Sequence, residues 1–481
     1  MPLFLGVDLG TSSLKAAVLD EKGNIVARAK VPSVMNSPEK DFYEVDAEAT
    51  WWDGFLSLCT EAGKIVSLRE IAAVCVSSVC ASFVPVDEGG VPMHDAILYG
   101  IDKRASRQIE RLNRHYGAGL AERLGGMFTT HSILPKAIWL KEERPDAFRR
   151  TKYFMEPNNF VTFRLTGERA WDYPSAAAAG LVDREKLTWA EDIFNEQGVS
   201  ARSFAELRWP LSVLGSISED ASARTGLPAG IPVITGACDI NAEAAAAGAL
   251  SVGECVVVFG STVSILLNTE RPVRLPGFVS GISVVEGMYR LGAATSSGSR
   301  FLQWVHSVIR SGDGKSVSSP TGILMVPWLD GARTPFHDPM AKVLFQGMDS
   351  GTSGGALLRA GKEALGYELD SLFAMLEQAA PVPETISVSG GLSNDVELME
   401  IVSAITGKKL RLHPSVDAAC GDALLAAAGS GYVSLADCGR CARGARTISP
   451  DMELHARFRP FVERFRKMTK QRGVPVRSSR G

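Results

Sequence analysis

The run Asp8–Val18, DLGTSSLKAAV, holds a carboxylate at a strand end, a Gly-Thr-Ser-Ser turn and an apolar return strand. Leu3 to Asp8 reads as the strand entering the turn, and Leu14 to Leu19 as the strand leaving it. EKGN (Glu21–Asn24) then supplies a hairpin turn into a third strand from Ile25 to Val31. Much later the chain repeats the opening as Val258–Leu267, VFGSTVSILL. There Cys255 to Phe259 is the entering strand and Val263 to Leu267 the return. Similarity at such a distance predicts two related lobes, with a boundary near Leu250.

These turns suit an anion. Glycine admits a close approach of the backbone, small hydroxyls add donors without bulk, and oriented amides form a concavity for negative charge. Gly10, Thr11 and Ser12 in the first turn, and Gly260, Ser261 and Thr262 in the second, are therefore candidate phosphate contacts. Ordinary turn chemistry accounts for either set taken singly. Asp8 is a candidate Mg²⁺ anchor, with a turn-forming Asx residue as the alternative. Lys15 is either electrostatic support for the first turn or an exposed charge. Phe259 stands where Asp8 would echo, so any metal is expected to lean on the first lobe.

With 481 residues the chain exceeds what one core usually supports, so two domains are expected. A hydrophobic fraction of 45% and a charged fraction of 22% place it among globular proteins, and a formal net charge of −3 argues against nucleic acid as a partner. No run approaches 18 apolar residues, so a membrane span is not expected. The start, MPLFLGVDLG, reads as a buried strand, and a cytoplasmic location is the expectation. The tail after Asp451 is basic and reads as a solvated terminal helix. Most of the eight cysteines sit in apolar runs as reduced core residues. Cys438 and Cys441 form a CGRC pair that lacks further ligands at a zinc-site spacing.

Strand-like and helical runs alternate throughout, the pattern of an α/β protein. Asp46 is expected to cap a helix through Gly63. Ile71 to Val76 is a buried strand, Val84 to Met93 a β-excursion, and Asp102 to His115 an Arg-rich helix. In the second lobe come a helix from Gly354 to Ala380, a strand at Thr385 to Val388, and helices at Asp395–Ile405 and Ser415–Gly429. Gly312–Gly322, GDGKSVSSPTG, is loop-like.

Two further stretches carry chemistry. In GACDINAEAAAAGA (Gly236–Ala249), Asp239 stands at the mouth of a helix built almost wholly from small residues. It is read as an N-cap, as a catalytic base, or as both, with the helix dipole keeping it ionised. SVSGGLSND (Ser387–Asp395) joins a strand to a helix without a GxGxxG fingerprint. It is either a tight βα turn or a flat seat for an adenosine.

Taken in order, Asp8 with its GTSS turn, Asp239, the GST turn, ARTPFHDP (Ala332–Pro339) and SGGLSND resemble the FGGY carbohydrate kinases, especially the xylulokinase-like members. PKAIWLKEERPDAF (Pro135–Phe148), LTGERAWDYPSAAAAGL and DAACGDALLAAAG share the likeness, which spans Gly6 to about Gly431. The resemblance implies two ribonuclease-H-like, actin/hexokinase-type lobes with ATP in the interlobe cleft and a sugar or polyol deep in the first lobe. The lobes are drawn as residues 1–249 and 250–440, followed by a basic helical tail over 441–481. By the same likeness Asp239 matches the base and Asp8 the acid serving Mg²⁺. Gly10, Thr11, Ser12, Lys15, Gly260, Ser261 and Thr262 match the phosphate side. Gln303 matches a residue near the nucleotide, and Gly390, Gly391 and Asn394 or Asp395 the adenosine loop.

The chain also departs from the family. Where xylulokinase-like members carry Gly-Gln-Met-His, this chain has Ser78-Val79-Cys80-Ala81, so small apolar side chains replace the polar sugar contact. Trp-x-Asp-x-Arg becomes Tyr99-Gly-Ile-Asp102-Lys-Arg104, one residue longer. Asp102 and Arg104 either reach sugar hydroxyls or pair at a helix start, and Tyr99 is either a ring platform or core. His94, His131 and His337 are read as solvated or structural. The expected function is ATP- and Mg²⁺-dependent phosphorylation of a small ketose or polyol, with a homodimer as the expected assembly. An actin/Hsp70-type ATPase and a catalytically silent sugar-binding relative are the alternatives.

Overall fold

The computed structural model describes residues 1–309, 318–413, 415–435 and 446–472. Cys438, Cys441 and most of the 312–322 stretch lie outside the described residues. The chain forms two compact units. The first comprises Met1–Leu250, Gly281–Met288 and a helical stretch from Val416; the second comprises Ser251–Ser280, Tyr289–Ser415 and the C-terminal helix.

The sheet of the first unit contains β1 (Leu3–Leu9), β2 (Ser13–Asp20), β3 (Ile25–Pro32), β4 (Ile71–Ser78), β5 (Val213–Ser216) and β6 (Pro232–Ile234), in the order β5-β6-β4-β1-β2-β3. β1, β2 and β3 are an antiparallel meander, whereas β4 and β6 run parallel to β1 on its other side. The second unit repeats the plan. Its strands are β7 (Cys255–Phe259), β8 (Val263–Thr269), β9 (Val279–Ile282), β10 (Tyr289–Ala294), β11 (Thr385–Ser389), β12 (Lys409–Leu412) and β13 (Arg446–Ile448). Their order is β9-β10-β8-β7-β11-β12-β13, with β11 parallel to β7 and β12 parallel to β11. Each sheet thus has a trio of antiparallel neighbours, β1-β2-β3 and β7-β8-β10, continued by parallel strands, the ribonuclease-H-like arrangement.

Strand periodicity explains where Asp8 points. Alternate residues of a strand face opposite sides. Leu3, Leu5, Val7 and Leu9 pack with Trp51, Trp52, Phe55 and Leu58, the last two on helix α1 (Asp53–Gly63). Phe4 faces the other way, among Ala419, Ala423 and Ala426. Gly6 and Asp8 share that second face. A Cβ on Gly6 would stand 2.0 Å from the carbonyl oxygen of Ala419, so only glycine fits.

The sequence reading placed the Ser415–Gly429 helix in the second lobe. Instead it forms α10 (Ala418–Gly429), packed on β1, β2 and β4 of the first unit. Between α1 and α10 come α2 (Ser106–Tyr116), α3 (Ile133–Glu143), α4 (Pro157–Thr166), α5 (Tyr173–Ala178), α6 (Asp239–Ala246), α7 (Ser299–Val308), α8 (Gly354–Leu376) and α9 (Val396–Thr406). The small residues of α6 let α10 approach closely: a Cβ on Gly421 would meet the carbonyl oxygen of Ala242 at 1.8 Å. The basic tail is α11 (Met452–Arg472), which buries Phe458, Val462 and Phe465 beside Trp328 and Tyr367 and is therefore more than a solvated helix. Among the described residues no helix is long and apolar enough to cross a membrane.

Candidate active site

Asp8 ends the buried strand β1 and is only 5% exposed. Its Oδ2 lies 3.5 Å from the half-exposed Lys15 ammonium, its register partner on β2, so Lys15 faces the acid. Its Oδ1 is buried without a hydrogen-bond partner. Burial pushes the carboxyl up to about 6, opposed by Lys15 and assisted by the charge of Asp417. Behind it, buried Asp422 of α10 accepts a 2.6 Å hydrogen bond from the Ser77 hydroxyl. Burial holds the Asp422 carboxyl well above the usual range, and the Asp8 charge adds to this. In the turn itself, Gly10 and Thr11 are half-buried and Ser12 is exposed.

Asp239 is the first residue of α6, and Cys238 occupies the N-cap position. The expected N-cap role is thus corrected by one residue. Asp239 Oδ1 accepts from the Ile240 amide at 2.7 Å, and the side chain remains half-buried. The expectation that the helix dipole keeps it ionised also needs correction. Burial, then the Asp8 charge, pushes its carboxyl up to about 7, outweighing the Ile240 amide and Lys15. A carboxyl raised by the charge of a neighbouring acid shares one electrostatic site with it.

The proposed sugar positions divide. Cys80 is half-buried, with its thiol 3.7 Å from the carbonyl of Ser175 and against the Cys238 thiol. Ala81 is fully buried with Phe83 and Trp139, which makes it core rather than a sugar contact. Asp102 and Arg104 form the ion pair that was one of their two readings. Arg104 Nε reaches both Asp102 oxygens at 3.0 and 2.9 Å, and Nη1 reaches Glu44 at 2.6 Å. The guanidinium is sandwiched near the rings of Phe42 and Trp139. Both side chains are sealed from solvent, and the helix starts only at Ser106, so the expected helix over Asp102–His115 begins later. Tyr99 is half-buried, its ring 6.0 Å from that of His131. His94 Nδ1 lies 2.7 Å from its neighbour's carbonyl oxygen, and His337 Nε2 2.8 Å from that of Gly277.

In the second unit, the Gly260 amide donates to the Thr262 carbonyl, and the Gly260 carbonyl accepts from Ser299 N, both at 2.9 Å. The turn is therefore continuous with the N-terminus of α7, where backbone N–H groups favour an anion. Ser261 is exposed and Thr262 half-buried, and exposed Gln303 lies on α7. Strand register puts Val258 opposite Ser264 and Phe259 opposite Val263. The counterpart of Asp8 is thus Val258, one residue before the Phe259 expected to replace it. Gly390 has φ of 88° and would place a Cβ 2.5 Å from the Phe259 carbonyl oxygen, so glycine is required there. Gly391 has open space, and Asn394 Nδ2 donates to its carbonyl at 3.2 Å. Asp395 caps α9 through the Leu398 amide and pairs with Lys362 at 2.7 Å, so its carboxylate is held by the fold.

The N-terminal domain of the FGGY family of carbohydrate kinases matches residues 3–246, and the family's C-terminal domain matches residues 255–430. The chain belongs to the FGGY family of carbohydrate kinases. It is 28% identical over 456 residues to the xylulose kinase of Bacillus subtilis (strain 168), covering 91% of this chain and 90% of that protein. Its fold superposes with a TM-score of 0.89 on the xylulose kinase of Rhodospirillum rubrum, at 23% identity and 98% coverage of both chains. It superposes equally well, at 0.89, on a gluconate kinase from Lactobacillus acidophilus, at 18% identity, covering 98% of this chain and 99% of that one. The fold therefore hosts kinases named for different acceptors. As an FGGY kinase the chain is an enzyme that phosphorylates a sugar at the expense of ATP, which removes the actin/Hsp70-type ATPase alternative.

Several residues of this kinase's first unit escaped the sequence reading. Lys136 of α3 is buried, and its ammonium donates to the carbonyls of Leu98 and Tyr99, the latter at 3.1 Å. Burial pushes it down to about 7, with Asp102 opposing. Glu156, Asn158, Asp172 and Ser175 are buried at two strand–helix junctions. Each is a polar residue set in an apolar stretch, a signal visible in YFMEPNNF and RAWDYPSA.

Proposed function

We propose that this kinase transfers the γ-phosphoryl group of ATP to a hydroxyl of a small ketose or polyol, with Asp239 as the general base. The observation that carries the reading is the placement of Asp239. A half-buried carboxylate heads a close-packed helix, coupled electrostatically to a second acid, Asp8, that retains an unpartnered oxygen. As the acceptor oxygen bonds to phosphorus and the bond to the ADP oxygen breaks, the hydroxyl proton passes to Asp239. Asp239 acts only when ionised. Its carboxyl lies near 7, so activity rises as pH increases through neutrality.

The orphaned Asp8 oxygen fits a hard divalent cation, which takes oxygen ligands. Mg²⁺ held there would neutralise charge developing on the phosphates. Lys15 restrains the Asp8 carboxylate, and the Gly10–Thr11–Ser12 backbone and hydroxyls offer donors to phosphate. Gly260, Ser261 and Thr262, backed by the start of α7, offer a second set. Gln303, Gly390, Gly391 and Asn394 are assigned to the nucleoside side, while Asp395 positions the loop through its cap and its Lys362 pair.

The test is acceptor-dependent ADP release over D-xylulose, D-ribulose, xylitol, erythritol and glycerol. Asp239→Ala is expected to lower kcat by about 10²–10⁴-fold while ATP binding survives. Near-normal turnover in that variant rejects the base assignment.

A further inference from the structure

Four buried polar side chains form a cluster that reaches Cys80. Glu156 immediately precedes α4, Asn158 lies in its first turn, Asp172 immediately precedes α5, and Ser175 lies in the first turn of α5. None is more than 1% exposed. Some of their groups are satisfied: Ser78 donates to Asn158 Oδ1 at 3.0 Å, and Asp172 Oδ1 accepts from the Ser175 amide at 2.8 Å. Glu156 Oε1, Asn158 Nδ2, Asp172 Oδ2 and Ser175 Oγ are likewise sealed from solvent. These groups face one another, Ser175 against both carboxyls and Asn158 against Asp172, while Glu156 also joins a capping box with Asn159 of α4, so the locus is a connected polar cluster inside the core.

The locus reaches the base through two thiols. The Cys80 and Ser175 side chains lie against the Glu156 carboxyl, with Asp172 and Cys238 close enough to act on it. Cys80 lies against Cys238. Cys238 directly precedes Asp239 and is bridged in parallel to Ser78 at the end of β4. A path of contacts therefore runs from Glu156 through Cys80 to Cys238 and the start of α6. It passes through Cys80, where the chain lacks its family's polar sugar contact.

We propose that Glu156 is a positioning residue for acceptor binding, holding Cys80 and, through Cys238, the entry to α6 in the geometry that the acceptor meets. The proposal rests on the reading of Asp239 and Cys80 as acceptor-facing. Because Glu156 is buried, it acts through the thiols and not by touching the acceptor itself. Neighbouring acids and burial both favour its neutral form, which keeps an O–H donor as well as an acceptor inside the locus.

The test compares Glu156→Leu with Glu156→Gln in the full chain, using whichever of the five acceptors above gives the highest wild-type kcat/KM. Glu156→Leu is expected to raise the acceptor KM about 10-fold while the ATP KM stays within about twofold. Glu156→Gln keeps the length and a donor–acceptor pair, and is expected to restore the acceptor KM to within about threefold of wild type. A fall in kcat with the acceptor KM unchanged overturns the proposal, as does a Gln variant as impaired as the Leu variant. Should Glu156→Leu fail to fold, Cys80→Ala breaks the same path. A selective rise in acceptor KM is expected there too, and a wild-type KM overturns the proposal. If Asp239→Asn is inactive while these KM values are unchanged, only this inference falls. If Asp239→Asn turns over normally, the base assignment falls and the KM comparison still decides Glu156. Absence of acceptor-dependent turnover by the wild type defeats both.

Discussion

The two glycine turns share a backbone and differ in charge. In the first unit the Leu9–Leu14 pair closes Gly-Thr-Ser-Ser; in the second the Phe259–Val263 pair closes Gly-Ser-Thr. One register step earlier, the first hairpin sets Asp8 opposite Lys15, whereas the second sets Val258 opposite Ser264. The second turn compensates with the amide-rich start of α7, joined to it through Gly260 and Ser299. The repeat therefore preserves a means of presenting N–H groups, while the ionic chemistry belongs to one copy. In that copy Asp8 acts electrostatically on Asp239 and Asp422, and Lys15 acts on Asp8.

The most damaging way to break this contrast is Asp8→Asn, which makes the first turn as uncharged as the second. It is expected to lower kcat by about 10²–10³-fold and weaken the dependence on Mg²⁺, measured by metal titration of ADP release. The same variant has a signed pH effect. The Asp8 carboxyl lies at about 6 in the folded chain against an ordinary 3.8, so its favourable contribution is complete below 3.8 and is lost as pH rises through 6. Asp8→Asn is accordingly expected to raise the thermal midpoint at pH 8, a gain that fades to nothing near pH 4.

The contrast can also be sharpened from the other side. Val258→Asp places an acid in the second turn with no lysine across the strand, at a position only 9% exposed. It is expected to cost about 2–4 kcal/mol, read by chemical denaturation, without adding metal affinity. The smallest difference concerns the glycines. A Cβ on Gly10 would meet the Ser13 carbonyl oxygen at 2.8 Å, but one on Gly260 clears the Thr262 carbonyl oxygen at 3.6 Å. Gly10→Ala is expected to destabilise by about 1–2 kcal/mol and Gly260→Ala by less than about 0.5 kcal/mol, compared by thermal melting.

Much of this was legible in the sequence because local chemistry decides it. Strand–turn–strand composition identified both hairpins, and small residues announced a close-packed helix behind Asp239. What failed to show was long-range or one residue fine. Nothing in DAACGDALLAAAG says which sheet an alanine-rich helix will cover, so its return to β1 was missed, and Asp422 with it. The N-cap was read at Asp239, whereas Cys238 holds that position. Asp102 and Arg104 were readable as a pair, but their burial depends on Phe42, Glu44 and Trp139, contributed from elsewhere in the chain. Glu156, an acid ahead of a proline, went unread because its burial comes from the fold.

The crossing of α10 has a consequence for how the enzyme is made. The strand that bears Asp8 leaves the ribosome well before the helix that covers its far face, which ends at Gly429. Until Gly429 has been synthesised, Phe4, Gly6 and Asp8 lack their native cover. A chain terminated before Val416 would thus lose more than its second half: it would leave the Asp8 end of the first with a bare floor.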